Sequence, residues 1–228
     1  MNERATYYAD GLVYRPALGL ICLDRSRRHC RWATKWCKAK CYCGKFETMQ
    51  PDYQADYDTR LDLLWDRWTG ATLRAALRTK RQYRTLPTTP GTLPTHRLRV
   101  CSKGEPFAYG SDIRRLAEIV AFNSDILFWI PTRAWSIGHM QRLITKKIGR
   151  LPNSRLCASV DPDTHTLRPM LQLARYRDWH TLIVTEDKTP CPNAYPCPKT
   201  WGHIKGSCAD CIAGCFRKDK QTISLQKH

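Results

Sequence analysis

The stretch that decides the fold spans residues 97–130 and reads RLRVCSKGEPFAYGSDIRRLAEIVAFNSDILFWI. Its two ends, 97–101 and 126–130, are apolar runs of strand length, whereas 112–122 carries apolar residues at helical spacing. A strand, a helix and a second strand in this order are typical of a βαβ unit, in which the two strands are parallel.

The same alternation continues on both sides of this unit. Pro and Gly residues in 85–95 predict a connecting loop just before it. The chain therefore predicts an α/β fold, specifically a parallel five- to six-stranded partial (β/α) barrel. The further predicted elements are strands at 19–23, 154–160 and 180–185, helices at 137–148 and 168–176, and one long or broken helix at 60–81.

The alternation stops near residue 190, beyond which Pro, Gly, Lys and five cysteines dominate. We predict an α/β domain at 1–188, with a cysteine-rich metal-binding loop at 24–45, and a C-terminal cysteine-rich tail at 189–228. Because the tail has few apolar residues, we expect bound metal rather than hydrophobic burial to order it.

Composition limits the compartment and the partner. No run of about 18 apolar residues is present, and 1–10 lacks the apolar centre of a signal peptide, so we expect a cytoplasmic protein without a membrane partner. The 38 Lys and Arg against 20 Asp and Glu leave a net charge of +18, which favours nucleic acid as the partner. A basic surface with no specific partner, or one that faces acidic proteins or lipid headgroups, is the alternative, and the oligomeric state is not indicated.

Twelve cysteines in a reducing compartment are more typical of metal ligands than of disulfides. The first group lies within fourteen positions, and the basic residues around it are expected to lower the thiol pKa values. In the second group, the gaps of two and three residues at Cys208, Cys211 and Cys215 suit either an iron–sulfur cluster or zinc. The predicted metal ligands are Cys30, Cys37, Cys41, Cys43, Cys191, Cys197, Cys208, Cys211 and Cys215.

Three further cysteines, Cys22, Cys101 and Cys157, lie on predicted strands among apolar residues. We interpret them as buried core residues, because a free cysteine there behaves as a small apolar side chain.

Aromatic residues alternate with basic ones in the first cysteine loop, a combination that stacks on bases and neutralises phosphates. Packing around a cluster is the alternative role of these aromatics, and a solvated helix face is the alternative for the second basic run. The predicted nucleic-acid-binding residues are Arg27, Arg28, Arg31, Lys35, Lys38, Lys40, Arg74, Arg78 and Arg81.

A cysteine loop after the first strand, followed by Gly104, Glu105 and Pro106 after the second, resembles the radical S-adenosylmethionine enzymes. Lys103 stands where that superfamily has a first glycine, and the cysteine gaps of six and three residues differ from its usual three and two. The resemblance implies a 4Fe-4S cluster on three cysteines, S-adenosylmethionine on an open iron, and Glu105 on the methionine ammonium.

A second resemblance, which covers most of the chain, is to a family of small phage and actinobacterial proteins called gene product eighty-eight. Its loop of the form Cys-x6-Cys-x3-Cys-Tyr is matched by Cys30, Cys37, Cys41 and Tyr42. Thr-Arg-x-Trp at 132–135 and an Asp after the fourth strand also match. This resemblance implies the fold, the metal ligation and a phage-encoded protein in the host cytoplasm.

From these resemblances we expect Tyr42, Gly104, Glu105, Arg133 and Asp161 to bind the cofactor, with Arg133 and Asp161 holding a carboxylate and a ribose. A surface ion pair and a helix cap are the alternative roles of the last two. The sequence thus favours an iron–sulfur protein, similar to radical S-adenosylmethionine enzymes, that acts on or binds nucleic acid. The alternative is a non-enzymatic nucleic-acid-binding or regulatory protein stabilised by an iron–sulfur cluster or zinc.

Overall fold

A computed structural model describes most of the chain and gives one β-sheet with helices packed against it. The described residues are 5–16, 18–41, 43, 51–81, 96–164, 173, 179–186, 190–197, 200–201, 208, 211, 214–216 and 221–226.

The sheet has nine strands in the described part of the chain, in the order β1-β2-β3-β4-β5-β6-β7-β9-β8. Strands β3 to β7 lie in sequence order, and each is parallel to the next. The strands are β1 Thr6–Tyr7, β2 Leu12–Arg15, β3 Leu20–Leu23, β4 His96–Val100, β5 Ile126–Thr132, β6 Ser154–Val160, β7 Trp179–Thr185, β8 Tyr195–Pro196 and β9 Thr222–Gln226.

The five predicted strands are confirmed as β3 to β7, but the expected size of the sheet was wrong. An antiparallel hairpin, β1 and β2, extends the β3 edge, and β9 and β8 extend the β7 edge, so nine strands form an open sheet rather than five or six. Strands β1 and β8 have two residues each, too few for any periodicity in sequence. Pairing with an existing sheet edge, rather than local pattern, makes them strands.

The helices are α1 Lys35–Ala39, α2 Pro51–Trp65, α3 Gly70–Arg78, α4 Gly110–Phe122 and α5 Gly138–Ile144, which a π-helical turn, Thr145–Gly149, extends. The helix predicted over 60–81 is a broken one, because Thr69 caps α3 through its hydroxyl, which accepts from the Thr72 backbone N–H at 3.2 Å. The predicted loop at 85–95 lies outside the described residues. The predicted helix at 168–176 does so too, except for Leu173, which is buried.

The two faces of the sheet bury different apolar clusters, because side chains alternate along each strand. The larger one, the main core, lies on the face that α3, α4 and α5 cover. The smaller one, the second-face cluster, consists of Leu20, Leu127, Trp129, Cys157, Leu182, Phe216 and Ile223.

Two members of the second-face cluster, Phe216 and Ile223, come from the tail and are 7% and 1% exposed. The expectation that hydrophobic burial does not order the tail was wrong for its described part, where apolar contacts and β9 attach it to the sheet, whereas the role of metal there stays a prediction. None of the described helices has both the length and the apolar character needed to cross a membrane.

Replacing Ile223 by Ala tests this attachment. Because the side chain is almost fully buried, we expect the free energy of unfolding to fall by about 2–5 kcal/mol in urea titrations. Gln226→Ala, at the partly exposed end of the same strand, is the control and should change it by less than about 0.5 kcal/mol. Equal, small effects of both changes would contradict the burial of β9.

Candidate functional site

The carboxyl ends of parallel strands meet at one edge of the sheet, and this carboxyl edge is where ligands bind in open α/β folds. Here the segments that follow β3, β4, β5 and β6 bring Asp24, Glu105, Arg133 and Asp161 to that edge. Three of the four are buried acids, with exposures of 1%, 5% and 1% for Asp24, Glu105 and Asp161.

Asp24 joins the loop after β3 to the loop after β4. Its Oδ1 accepts hydrogen bonds from the backbone N–H of Ser102 at 2.7 Å and of Lys103 at 3.1 Å. Its Oδ2 accepts from Arg15 Nη2 at 2.8 Å, so a cation balances the buried charge.

The next residue, Arg25, is buried and also contributes to fixing these loops. Its guanidinium pairs with Asp112 at 2.8 Å and lies 4.9 Å from the centre of the Trp65 ring, and both charged side chains are at most 4% exposed. A buried pair of this kind fixes the relative position of the β3 loop and the start of α4.

Gly104 allows the close approach of these loops. Its φ is +83°, and a Cβ atom there would lie 2.3 Å from the carbonyl oxygen of Arg25. The neighbouring Lys103, which replaces a glycine of the radical S-adenosylmethionine motif, binds Asp58 of α2 at 2.7 Å and is 4% exposed. Loop packing thus explains why residue 104 is a glycine, and its predicted binding of the cofactor stays a prediction.

The Glu105 carboxylate is held at the ends of β4 and β5. It accepts hydrogen bonds from the Thr132 hydroxyl, the Arg133 backbone N–H at 2.9 Å and the Phe107 backbone N–H at 3.3 Å. Burial raises the pKa of Glu105, and these hydrogen bonds act in the opposite direction.

Asp161 and Arg133 form an ion pair in which the carboxylate is fully buried and the guanidinium is 14% exposed, so it differs from the surface ion pair considered as an alternative. Asp161 Oδ2 accepts from the Arg133 guanidinium and from the Thr34 hydroxyl at 2.7 Å. Its Oδ1 accepts from the backbone N–H and the hydroxyl of Thr164, each at 3.1 Å. The carboxylate therefore connects β5, β6 and the cysteine loop.

Three contacts fasten the cysteine loop to the sheet. Thr34 caps α1 by accepting from the Cys37 N–H at 2.9 Å while it donates to Asp161. The Trp36 backbone N–H donates to Asp163 at 2.7 Å, and the Trp32 indole N–H donates to the Phe107 carbonyl at 2.7 Å. The loop thus closes over the carboxyl edge.

The thiols of this loop lie next to one another and to the polar residues of the edge. Burial raises the pKa of Cys30 to about 12, and the charges of Glu105, Cys37 and Cys41 add to the effect. Burial also raises the pKa of Cys37, against the nearby Arg133 guanidinium, which hydrogen-bonds to it. The expectation that basic neighbours lower these pKa values was wrong, because desolvation of a buried thiolate outweighs them.

The described residues contain no group of three or more His, Cys, Asp or Glu side chains placed so that they could hold a metal ion. Cys30, Cys37 and Cys41 are thus neighbours without ligand geometry, and Cys43 is buried. Tyr42 lies outside the described residues. The thiols nonetheless form a donor set of the type that iron–sulfur clusters and zinc require.

The five tail cysteines do not share one surface. Cys197, Cys208 and Cys215 pack against the second-face cluster, whereas Cys191 packs against the main core. The carbonyl oxygens of Cys208 and Cys211 accept hydrogen bonds from Arg97 Nη1, at 3.0 and 2.7 Å. The predicted burial of Cys22, Cys101 and Cys157 is confirmed.

The basic residues predicted to bind nucleic acid fall into two separate regions. Arg74 binds Asp125 and Asn123, which precede β5 at the opposite edge of the sheet, so it joins α3 to α4 and does not continue the basic surface of the cysteine loop. Arg78 and Arg81, which follow it, are exposed. The exposed basic residues of the cysteine loop are Arg28, Arg31, Lys35, Lys38 and Lys40, with Arg27 half-buried.

Sequence reasoning missed Asp24, Arg25 and Thr34, which position the site. Asp24 and Arg25 directly follow a predicted strand, a position that could have marked them as edge residues. Thr34 precedes a short helix and is a common N-cap residue, but its bond to a residue 127 positions away has no local signal.

The mostly parallel, open sheet defines the class as an α/β protein, and the thiols, the buried glutamate and the Arg–Asp pair at its carboxyl edge form a candidate ligand site. The family model Gene product 88 matches residues 16–218. The chain therefore belongs to the Gene product 88 family. No curated protein and no solved structure matches it.

Gly104→Ala tests the loop packing on which this edge depends. Because the new Cβ would meet backbone at a positive φ, we expect the free energy of unfolding to fall by about 1–3 kcal/mol in denaturant titrations. Gly110→Ala is the matched control, since a Cβ there meets only a Leu143 methyl at 3.7 Å. A loss no larger than that of the control would refute the requirement for glycine at 104.

Proposed function

We propose that this protein is an iron–sulfur protein, similar to radical S-adenosylmethionine enzymes, that acts on nucleic acid. The observation that carries the proposal is the meeting of Cys30, Cys37 and Cys41 with Glu105 and Arg133 at one edge of a parallel sheet. These residues come from three separate parts of the chain, and the fold brings together side chains that the radical S-adenosylmethionine resemblance assigned to one site.

The donor chemistry fits a cluster held by three thiolates. Such a 4Fe-4S cluster supplies one-electron chemistry and one iron that an amino-carboxylate ligand can bind. This assignment requires the three neighbouring thiols to rotate into ligand geometry, while Trp32 and Thr34 anchor the loop between Cys30 and Cys37.

Each polar residue has a role that follows from its contacts. Glu105 is a buried carboxylate held in one orientation, and it can accept a further hydrogen bond from the ammonium of the methionine moiety. Arg133 places a cation between Cys37 and Asp161, where it can balance thiolate charge or hold a carboxylate. Asp161 already accepts four hydrogen bonds, so we assign it to positioning Arg133 and the cysteine loop.

The outer surface of the same loop supports nucleic acid as the substrate. The Arg31 guanidinium lies 5.3 Å from the ring centres of Trp32 and of Tyr109, and Tyr109 is 50% exposed. An exposed ring beside cations can stack on an unpaired base while the cations neutralise phosphates. Lys35 and Lys38, both exposed, extend this surface along α1.

The decisive experiment is electron paramagnetic resonance of the anaerobically purified, reduced protein with and without S-adenosylmethionine. We expect a cluster signal that Cys37→Ala abolishes and that S-adenosylmethionine shifts. Glu105→Gln should keep the signal but weaken the shift, because a neutral amide binds an ammonium less strongly. Glu118→Gln, an exposed residue on α4, is the matched control and should behave as the unaltered protein does.

One observation favours a non-enzymatic alternative. Arg133 and Asp161 already bind each other, which suits a closed, structural site in a nucleic-acid-binding or regulatory protein. In that case the cluster signal would ignore S-adenosylmethionine. Zinc without iron or sulfide would refute the iron–sulfur assignment of this site.

The nucleic-acid role has its own test, the salt dependence of binding to a single-stranded oligonucleotide. If Lys35 and Lys38 contact phosphates, changing both to Ala should lower the slope of log K against log salt by about 2. The control changes Lys146 and Lys147 to Ala, which removes the same charge from exposed residues ahead of β6, at the opposite edge of the sheet. Equal slopes for the two variants would show general attraction to polyanions and contradict a binding face on α1.

A further inference from the structure

Unlike Cys101, which lies in the main core, and Cys22, which lies in neither apolar cluster, Cys157 packs in the second-face cluster. It lies on β6, at 0% exposure, and belongs to the second-face cluster rather than to the main core. Its Sγ accepts a hydrogen bond from the Trp129 indole N–H at 3.0 Å. Burial raises the pKa of the free Cys157 thiol, and this hydrogen bond acts in the opposite direction, as it would on a metal-bound thiolate.

Three tail cysteines cover the same cluster. Cys197, Cys208 and Cys215 are half-buried and pack against it, and the turn Gly214–Phe216 brings Phe216 against Trp129, with ring centres 5.7 Å apart. Burial raises the pKa of Cys215 well above its ordinary value, and the charges of Cys157, Cys208 and Cys197, in that order, raise it further. The four sulfurs are therefore electrostatic neighbours.

The two remaining tail cysteines are placed differently. Cys191 packs against the main core, on the other face of the sheet, so its thiol is separated from this group. Cys211 contributes its carbonyl oxygen to Arg97, 2.7 Å from Nη1, and is not among the residues packed on the cluster.

Cations line the same face. Arg99 stacks over the Trp129 ring at 4.6 Å, and Arg155 donates from Nε to the Phe216 carbonyl at 3.2 Å. The charges of both arginines oppose the effect of burial on the Cys157 pKa. Four thiolates around a divalent metal, or around a cluster, carry a net negative charge that such arginines can balance.

We propose that Cys157, Cys197, Cys208 and Cys215 form a closed metal site with four thiolate ligands between β6 and the tail. Its chemistry suits a tetrahedral Zn²⁺ ion or an iron–sulfur cluster, both of which take four cysteines. The thiols lie in contact with one apolar cluster but not in ligand geometry, so binding requires side-chain rotation in the tail. This site is separate from the one in the cysteine loop and does not depend on the proposed function.

The test is the zinc, iron and sulfide content per chain of the anaerobically purified full-length protein and its variants. We expect Cys157→Ala and Cys215→Ala each to lose one metal centre, while the metal of the cysteine loop remains. Cys22→Ala is the matched control, because Cys22 is also a fully buried strand cysteine. Cys191→Ala is the control within the tail. If the variants lose zinc alone, the centre is a zinc ion, and if they lose iron together with sulfide, it is an iron–sulfur cluster.

A second measurement does not depend on the variants folding. We expect alkylation of the unaltered protein, mapped by mass spectrometry, to modify Cys197 and Cys208 only after a chelator removes the metal, and Cys191 at the same rate before and after. Full metal content in Cys157→Ala, an equal loss in Cys22→Ala, or chelator-independent labelling of Cys197 and Cys208 would each overturn the proposal.

Discussion

The candidate site depends on the hydrogen bonds that the buried carboxylate of Asp161 accepts. A single carboxylate with no solvent contact must have its charge and lone pairs satisfied by protein groups. Arg133, Thr34 and Thr164 satisfy them, and they come from the end of β5, the start of α1 and the turn after β6. The need to satisfy one acid therefore determines where the cysteine loop lies, and with it where the Cys37 thiol meets the guanidinium of Arg133.

Similar pairs, each with a buried acid, neutralise some of the basic side chains of this chain, whose net charge is +18. Asp24, Asp58 and Asp112 are nearly inaccessible, and each pairs with one basic side chain, namely the partly buried Arg15 and the buried Lys103 and Arg25. Because these acids are in the interior, the exposed surface is left with most of the unpaired positive charge. The cysteine loop carries several exposed basic residues, so the nucleic acid that we propose as partner would meet positive charge on the segment that holds the thiols.

The two cysteine groups lie in different environments. Those of the loop meet buried acids and an arginine at the carboxyl edge, where a parallel sheet leaves room for a ligand. Those of the tail lie against an apolar face, where Trp129, Phe216 and Ile223 exclude water. The polar environment of the loop cysteines suits chemistry with a bound small molecule. The apolar environment of the tail cysteines suits a structural metal centre that holds the tail on the sheet.

The sequence alone determined the five parallel strands and the burial of Cys22, Cys101 and Cys157, because periodicity and local composition report burial within one element. It left open whether 60–81 is one long helix or a broken one, which the structure decided. It also indicated Arg133 and Asp161, because residues that follow parallel strands must share an edge, whereas Glu105 was indicated by the resemblance to radical S-adenosylmethionine enzymes. Only the tertiary structure decided that β1, β2, β8 and β9 extend the sheet, that Arg74 ties α3 to α4, and that Cys215 packs against the apolar cluster that contains Cys157. These features arise from pairing between residues far apart in the chain, and such pairing leaves no periodic trace in either partner.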